Sequence, residues 1–166
     1  YNIYQPWPEE VNRKIIGTIA DQHFAPTDVS EAALLKEAID PKQIFVTGNT
    51  VIDALYWVTD KIERNPALVA GLADIEARFA GKRIIGVTTH RRENFGAPLA
   101  RICAALDHLI ADNTDLGLLI PMHPNPHVRG TLIRHFGGRR RVILTEPLGY
   151  AEFIAAMRSA TLILSD

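Results

Sequence analysis

The sequence has one cysteine, Cys103, which excludes an intrachain disulfide and a cysteine-rich metal site. Long apolar runs are missing. Stretches such as Leu118-Leu119-Ile120 fall far short of the ~18 residues a bilayer helix needs. Charge of one sign is not in excess, with 18 Lys and Arg against 19 Asp and Glu and a net charge of −1. Bulk electrostatics therefore give no pull toward nucleic acid or an anionic membrane, and neither is expected as a partner. There is no P-loop and no Gly-x-Gly-x-x-Gly, which argues against an ATPase or a dinucleotide dehydrogenase. No secretion signal is legible after Tyr1, and the single cysteine is compatible with a reducing cytoplasm, the expected compartment.

What is present is the composition of an ordinary globular protein. Of 166 residues, 47% are hydrophobic and 22% charged, which is too apolar for disorder. The length suits one domain or two incomplete ones. A chain that opens on Tyr1 and stops at Asp166, directly after Thr161-Leu162-Ile163-Leu164, reads as a piece of something longer.

Pro8, Glu9 and Glu10 suit the first turn of a helix. Val11, Ile15 and Ile19 continue it as an amphipathic helix to about Asp21. Phe24 to Thr27 reads as a short strand or an extended exit from the helix, and Thr27 or Asp28 can cap a helix over 30–39. Ile44-Phe45-Val46 reads as a buried strand, followed by a turn and a helix carrying Val51, Leu55 and Val58. Asn65-Pro66 breaks that helix, and a further helical stretch runs over 67–79. From there strands over 83–87, 116–120, 141–144 and 162–164 alternate with helices over 99–111, 127–136 and 150–157. Such alternation predicts α/β architecture with a parallel sheet covered on both faces. The first piece holds one convincing strand amid three helices. The expected division is therefore 1–50, the end of one α/β domain, and 51–166, the beginning of another.

In an open parallel sheet, ligands bind beyond the carboxyl ends of the strands. The residues predicted there are Thr88 to Gly96, Pro121 to Pro126, Thr145 to Tyr150 and Asp166. Two arginines, two histidines and three acids thus gather at one edge. Arginine forks match phosphate oxygens, and histidine donates, accepts or moves protons near neutrality. The pattern fits a site for a phosphorylated, polyhydroxylated small molecule; the competing reading is a salt-bridged loop cluster that caps the sheet. Elsewhere the plain readings come first. Glu9 and Arg13 form an i,i+4 pair. His23, His108, His127 and His135 sit at surfaces or helix ends. Trp7, Trp57 and Phe95 are packing residues, Arg139-Arg140-Arg141 is a solvated turn, and Cys103 is inert core. Phe153 faces either a base or the core.

Four motifs occur in series: Pro6-Trp7-Pro8-Glu9-Glu10-Val11-Asn12-Arg13, Thr47-Gly48-Asn49-Thr50-Val51-Ile52-Asp53, Thr89-His90-Arg91-Arg92-Glu93-Asn94 and Pro121-Met122-His123-Pro124-Asn125-Pro126. In this order they resemble the non-hydrolysing UDP-N-acetylglucosamine 2-epimerases of bacteria, over essentially the whole chain. The resemblance implies doubly wound parallel sheets in a glycosyltransferase-B-like two-domain architecture, here present in part, with the second domain binding nucleotide. It implies interconversion of UDP-N-acetylglucosamine and UDP-N-acetylmannosamine, in service of cell-surface polysaccharide, by elimination and re-addition of UDP. No metal or redox cofactor is expected. UDP-N-acetylglucosamine is implied as substrate and activator, and the full-length enzyme as a homodimer.

Carried over by position, Glu9 and His90 are catalytic, and Arg13, Arg92, Glu93, Asn94, Phe153 and Asp166 bind substrate. Glu10, Arg91 and His123 belong to the activating site. Residues that the family uses before position 1 and after Asp166 are not in this chain, so the piece alone is expected to be inactive. The alternatives are a UDP-sugar-dependent glycosyltransferase of the same fold and an inactive UDP-sugar-binding fragment.

Overall fold

The computed structural model describes residues 2–166, which leaves Tyr1, first of the opening aromatic residues, outside the described residues. The chain forms two compact units, Tyr1–Ala54 and Leu55–Asp166.

The first unit runs from helix α1 (Glu9–Ile19) through strand β1 (His23–Ala25), helix α2 (Asp28–Lys36) and a 3₁₀ turn (Pro41–Gln43) to strand β2 (Ile44–Val46). The Thr27 hydroxyl accepts from the Ser30 amide and starts α2. The two strands are parallel and in register, with Phe24 opposite Phe45. Ala25 and Ile44 are buried, whereas the rings of Phe24 and Phe45 stack 5.8 Å apart in the open. The expectation of a buried strand therefore holds at Ile44 alone, because no layer of this unit covers the second face. In α1, Ile15, Ile16 and Ile19 are exposed, and Lys14 and Gly17 take more sheltered positions.

Helix α3 (Thr50–Arg64) carries the division between the units. Its Trp57 is exposed beneath Lys61, and Trp7 is exposed in the opening segment. Both depart from their expected packing role, since neither ring has a covering layer.

The second unit continues with a 3₁₀ turn (Pro66–Val69) and α4 (Ala70–Ala77). Then come β3 (Arg83–Thr88), a 3₁₀ turn (Arg92–Asn94), α5 (Ala97–Asp112), β4 (Leu116–Pro121), α6 (Pro126–Phe136), β5 (Val142–Thr145), α7 (Tyr150–Ser159) and β6 (Leu162–Ser165). All four strands are parallel, in the order β5-β4-β3-β6. Alternation along β4 separates two cores. Leu116, Leu118 and Ile120 join Leu99, Cys103, Leu106, Val128, Leu132 and Phe136 of α5 and α6. Leu119 joins Leu72, Phe79, Ile84, Ile143 and Ala156 on the α4 and α7 side. Helices thus cover both faces, as a parallel sheet requires. Cys103 is fully buried, and burial pushes its thiol up from the ordinary value, consistent with inert core.

The strand order also fixes where a ligand can enter. From β3 the chain winds outward through β4 to β5, then returns along α7 to place β6 on the other side of β3. The carboxyl ends of β3 and β6 therefore flank a topological switch point, where the loops leave the sheet in opposite directions and a crevice opens.

Candidate functional site

At the switch point, β3 and β6 end side by side, Thr88 opposite Ser165, with a 3.1 Å hydrogen bond between their hydroxyls. The next residue on the β6 side is Asp166, and on the β3 side the loop 89–96 begins. The loop folds over Asp166. The backbone N–H of His90 donates to both carboxylate oxygens, at 3.1 and 3.2 Å, and that of Arg91 to Oδ2 at 3.1 Å. Asn94 Nδ2 also donates to Oδ2 at 3.1 Å, and His90 Nδ1 stands 3.4 Å from Oδ1. The Asp166 side chain is 4% exposed. Burial alone would raise its carboxyl, but the bonds from Asn94 and the two amides, with His90 beside it, hold it below the usual carboxylate range. Gly96, at φ +78°, then turns the chain into α5, a conformation that costs glycine little.

The loop also exposes cations. Arg91 Nη1 lies 3.3 Å from Glu93 Oε1, both side chains open to solvent. The Glu93 carboxyl is held low by its own backbone N–H and by Arg91. The Arg92 side chain is exposed and makes no hydrogen bond or ion pair with the described residues. Beside the loop, on the α5 side, lies a cavity of about 290 Å³ lined by Val87, Thr89, Ile102, Leu106, Leu164 and Asp166 among others. The Thr89 hydroxyl is buried there without a hydrogen-bond partner.

After the neighbouring strand β4, His123 is exposed, and its Nδ1 accepts the Asn125 amide at 3.2 Å, so its neutral imidazole carries the proton on Nε2. Asn125 in turn caps α6 by accepting the His127 amide, with Pro126 at the first helical position. Phe153 is half-buried and lines a small cavity with Gly86, Leu119 and Pro121 on the α7 face. The structure thus brings His90, Arg91, Asn94 and Asp166 together by direct bonds, and sets His123 at the same sheet edge without a bond to them.

Glu9, Glu10 and Arg13 lie in the first unit. Arg13 grips Glu10 through two bonds of 2.8 Å and Glu37 of the α2 cap through bonds of 2.8 and 3.1 Å. This corrects the expected pairing of Arg13 with Glu9: two other carboxylates fill the guanidinium fork. The Glu9 side chain is exposed and makes no hydrogen bond or ion pair with the described residues.

Several contributors carry no strong sequence signal. Arg129 of α6 donates to Glu146 at 2.7 Å and braces the loop after β5. Arg139 and Arg141 are not merely solvated. Arg139 pairs with Asp107, and Arg141 donates to the Asn113 and Leu116 carbonyls. His135, at the end of α6 as expected, also bonds Asp107, whereas His23 Nε2 is buried without a partner among the described residues and departs from the surface reading. Among the described residues no group of three or more His, Cys, Asp or Glu is placed to hold a metal ion.

The sequence profile of the UDP-N-acetylglucosamine 2-epimerase family matches residues 1–166. The UDP-N-acetylglucosamine 2-epimerase of Yersinia pestis is 44% identical over 99% of this chain, and that of Salmonella typhimurium 45%. The chain spans 44% of the length of each of these curated relatives. Among solved structures, the UDP-GlcNAc 2-epimerase of Neisseria meningitidis bound to UDP-GlcNAc superposes with a TM-score of 0.92 at 36% identity, covering all of this chain and 45% of that one. The Methanocaldococcus jannaschii UDP-GlcNAc 2-epimerase in complex with UDP-GlcNAc and UDP superposes with a TM-score of 0.72 at 28% identity, covering 96% of this chain and 44% of that one.

Proposed function

The chain belongs to the UDP-N-acetylglucosamine 2-epimerase family, and from that premise we propose that it is a segment of an enzyme interconverting UDP-N-acetylglucosamine and UDP-N-acetylmannosamine. The observation that carries the reading is the His90–Asn94 loop folded on Asp166 at the switch point of the second unit. We assign residues 1–50 to the end of a first α/β domain and 51–166 to the beginning of a nucleotide-binding one.

In the proposed reaction a base takes the proton from C2 of the sugar while the C1–O bond breaks, its electron pair leaving with UDP. A 2-acetamidoglucal remains. Return of a proton to the other face of C2, with attack of the UDP oxygen on C1, completes epimerisation, and all atoms are conserved. Departing UDP gains negative charge, which cationic and N–H donors stabilise. His90 and the exposed Arg92 at the switch point suit that task, with Glu93 and Asn94 of the same loop as further substrate-side groups. Glu9, whose side chain has no partner to neutralise it among the described residues, suits proton transfer, and Arg13, held by Glu10 and Glu37, is assigned to the substrate. Phe153 is assigned to the uracil side, and Glu10, Arg91 and His123 to binding a second, activating sugar nucleotide. The complete enzyme is read as a cytoplasmic homodimer. No helix among the described residues is long and apolar enough to cross a membrane.

The test is Glu9→Gln in an enzyme of its relatives' length that carries this segment. General acid–base help is worth ~10²–10⁴-fold, so turnover falls by that order while UDP affinity, measured by calorimetry, is kept. Near-normal turnover would leave Glu9 only its favourable place at a helix N-terminus.

A further inference from the structure

The resemblance groups Asp166 with the residues that touch substrate, but its surroundings point to a different task. An ionised carboxylate offers about four lone-pair sites. Here the His90 amide meets both oxygens, the Arg91 amide and Asn94 Nδ2 meet Oδ2, and His90 Nδ1 stands 3.4 Å from Oδ1. With the side chain 4% exposed and these donors in place, its lone pairs are already taken up within the loop. A carboxylate turned to a diphosphate would also repel it.

The loop, for its part, has few other means of holding its start. The 3₁₀ turn at Arg92–Asn94 has no side-chain cap of its own at Arg91. The His90 and Arg91 amides find their acceptor 76 and 75 residues away, on the far side of the switch point. The carboxylate thus satisfies two loop amides that have no local partner, and its Oδ1 lies 3.4 Å from Nδ1 of the adjacent imidazole.

We infer that Asp166 is a positioning residue that anchors the 90–94 loop to the end of β6 and turns the His90 imidazole so that Nδ1–H faces the carboxylate and Nε2 is presented outward. Only the identity of what Nε2 meets, a nucleoside diphosphate, rests on the proposed function. An aspartate behind the inner nitrogen fixes the tautomer and ring orientation of a histidine that must act through its outer one. His123 is wired in the opposite sense, with Nδ1 as acceptor and no carboxylate behind it.

Imidazole ¹⁵N spectra of the 166-residue chain, taken at alkaline pH where the ring is neutral, test the inference. The parent is expected to show His90 mainly as the Nδ1–H form, and Asp166→Ala to shift it to mainly Nε2–H. Loss of the carboxylate is also expected to speed hydrogen exchange at the His90 and Arg91 amides about tenfold. A parent His90 already in the Nε2–H form would overturn the inference, whether or not the variant folds. So would a variant whose His90 tautomer and amide exchange match the parent's. Calorimetry with UDP separates the two readings. If UDP fails to bind an enzyme of its relatives' length that carries this segment, the proposed nucleotide site fails, while the tautomer still decides the role of Asp166.

Discussion

Arg13 holds Glu37 across the first two helices, Nη2 2.8 Å from Oε1 and Nη1 3.1 Å from Oε2. Hydrogen bonds from Arg13 and then Lys14 bring the Glu37 carboxyl down to about 2. A folded value below the unfolded one means that the stabilisation is complete above the ordinary carboxylate range. It is lost as pH falls through that range toward 2. Partly solvated pairs are screened, so the expected contribution is only about 1 kcal/mol. Hydrogen exchange of α1 and α2 between pH 5 and pH 2 should show acid loosening in the parent and clearly less in Arg13→Ala, which keeps only the Lys14 bond to Glu37 and whose helices are already looser at neutral pH.

Gly117 and Gly86 lie on neighbouring strands, and both are overhung at 2.5 Å from where a Cβ would stand. What overhangs them differs. Above Gly117 is the ring of Phe79, itself buried; above Gly86 is the terminal methyl of Ile163, a flexible side chain that is only half-buried. Gly117→Ala should therefore cost about 1–3 kcal/mol, the usual range for overpacking a filled core. Gly86→Ala should cost clearly less. Urea unfolding of both variants checks the ranking, and equal costs would mean that Phe79 yields as readily as a methyl group.

The alternation of apolar strands with helices made the second unit legible from sequence, because burial on both sides writes near-continuous apolar runs into β3 and β4. The edge that gathers His90, Arg91, His123 and Asp166 followed from counting residues beyond each strand. Long-range pairings were not legible. Nothing local tells that the Arg13 fork prefers Glu10 and Glu37 over Glu9, or that Arg139 and Arg141 reach past their own turn. The exposed Ile15, Ile19, Trp7 and Trp57 show the same gap from the other side. An apolar stripe predicts a helix, but not whether this unit supplies the layer that covers it.

Asp107 ties α5 to the end of α6. Arg139 Nη1 stands 2.6 Å from one carboxylate oxygen, and His135 Nε2 bonds the other. The Arg139 side chain also donates to the His135 carbonyl at 3.2 Å, and its guanidinium lies 5.9 Å from the Phe136 ring centre. Hydrogen bonds to a charged group are worth about 1.5–3 kcal/mol, so Asp107→Ala should lower unfolding free energy by that order. Arg140→Ala, at an exposed neighbouring position, should change it by less than about 0.5 kcal/mol. Thermal unfolding that ranked Arg140 above Asp107 would contradict the tie.

Arg91 separates a ligand role from a loop-shaping one. Its partner Glu93 lies at 3.3 Å, and the two side chains are 58% and 65% exposed, so solvent screens the pair and it adds little to stability. If Arg91 serves only that pair, Arg91→Ala slightly lowers the unfolding temperature and changes nothing else. If it holds the diphosphate of a second sugar nucleotide, the variant loses a charge-assisted bond worth about 1.5–3 kcal/mol. That corresponds to roughly one to two decades in affinity. The experiment uses an enzyme of its relatives' length that carries this segment. Initial rates are taken against UDP-N-acetylglucosamine, and against UDP-N-acetylmannosamine with and without a trace of the former. The expected result is an activation midpoint raised tenfold or more, with the rate at saturation nearly kept, since the remaining loop is still anchored on Asp166. A midpoint equal to the parent's would remove Arg91 from the activating site and leave it as the partner of Glu93.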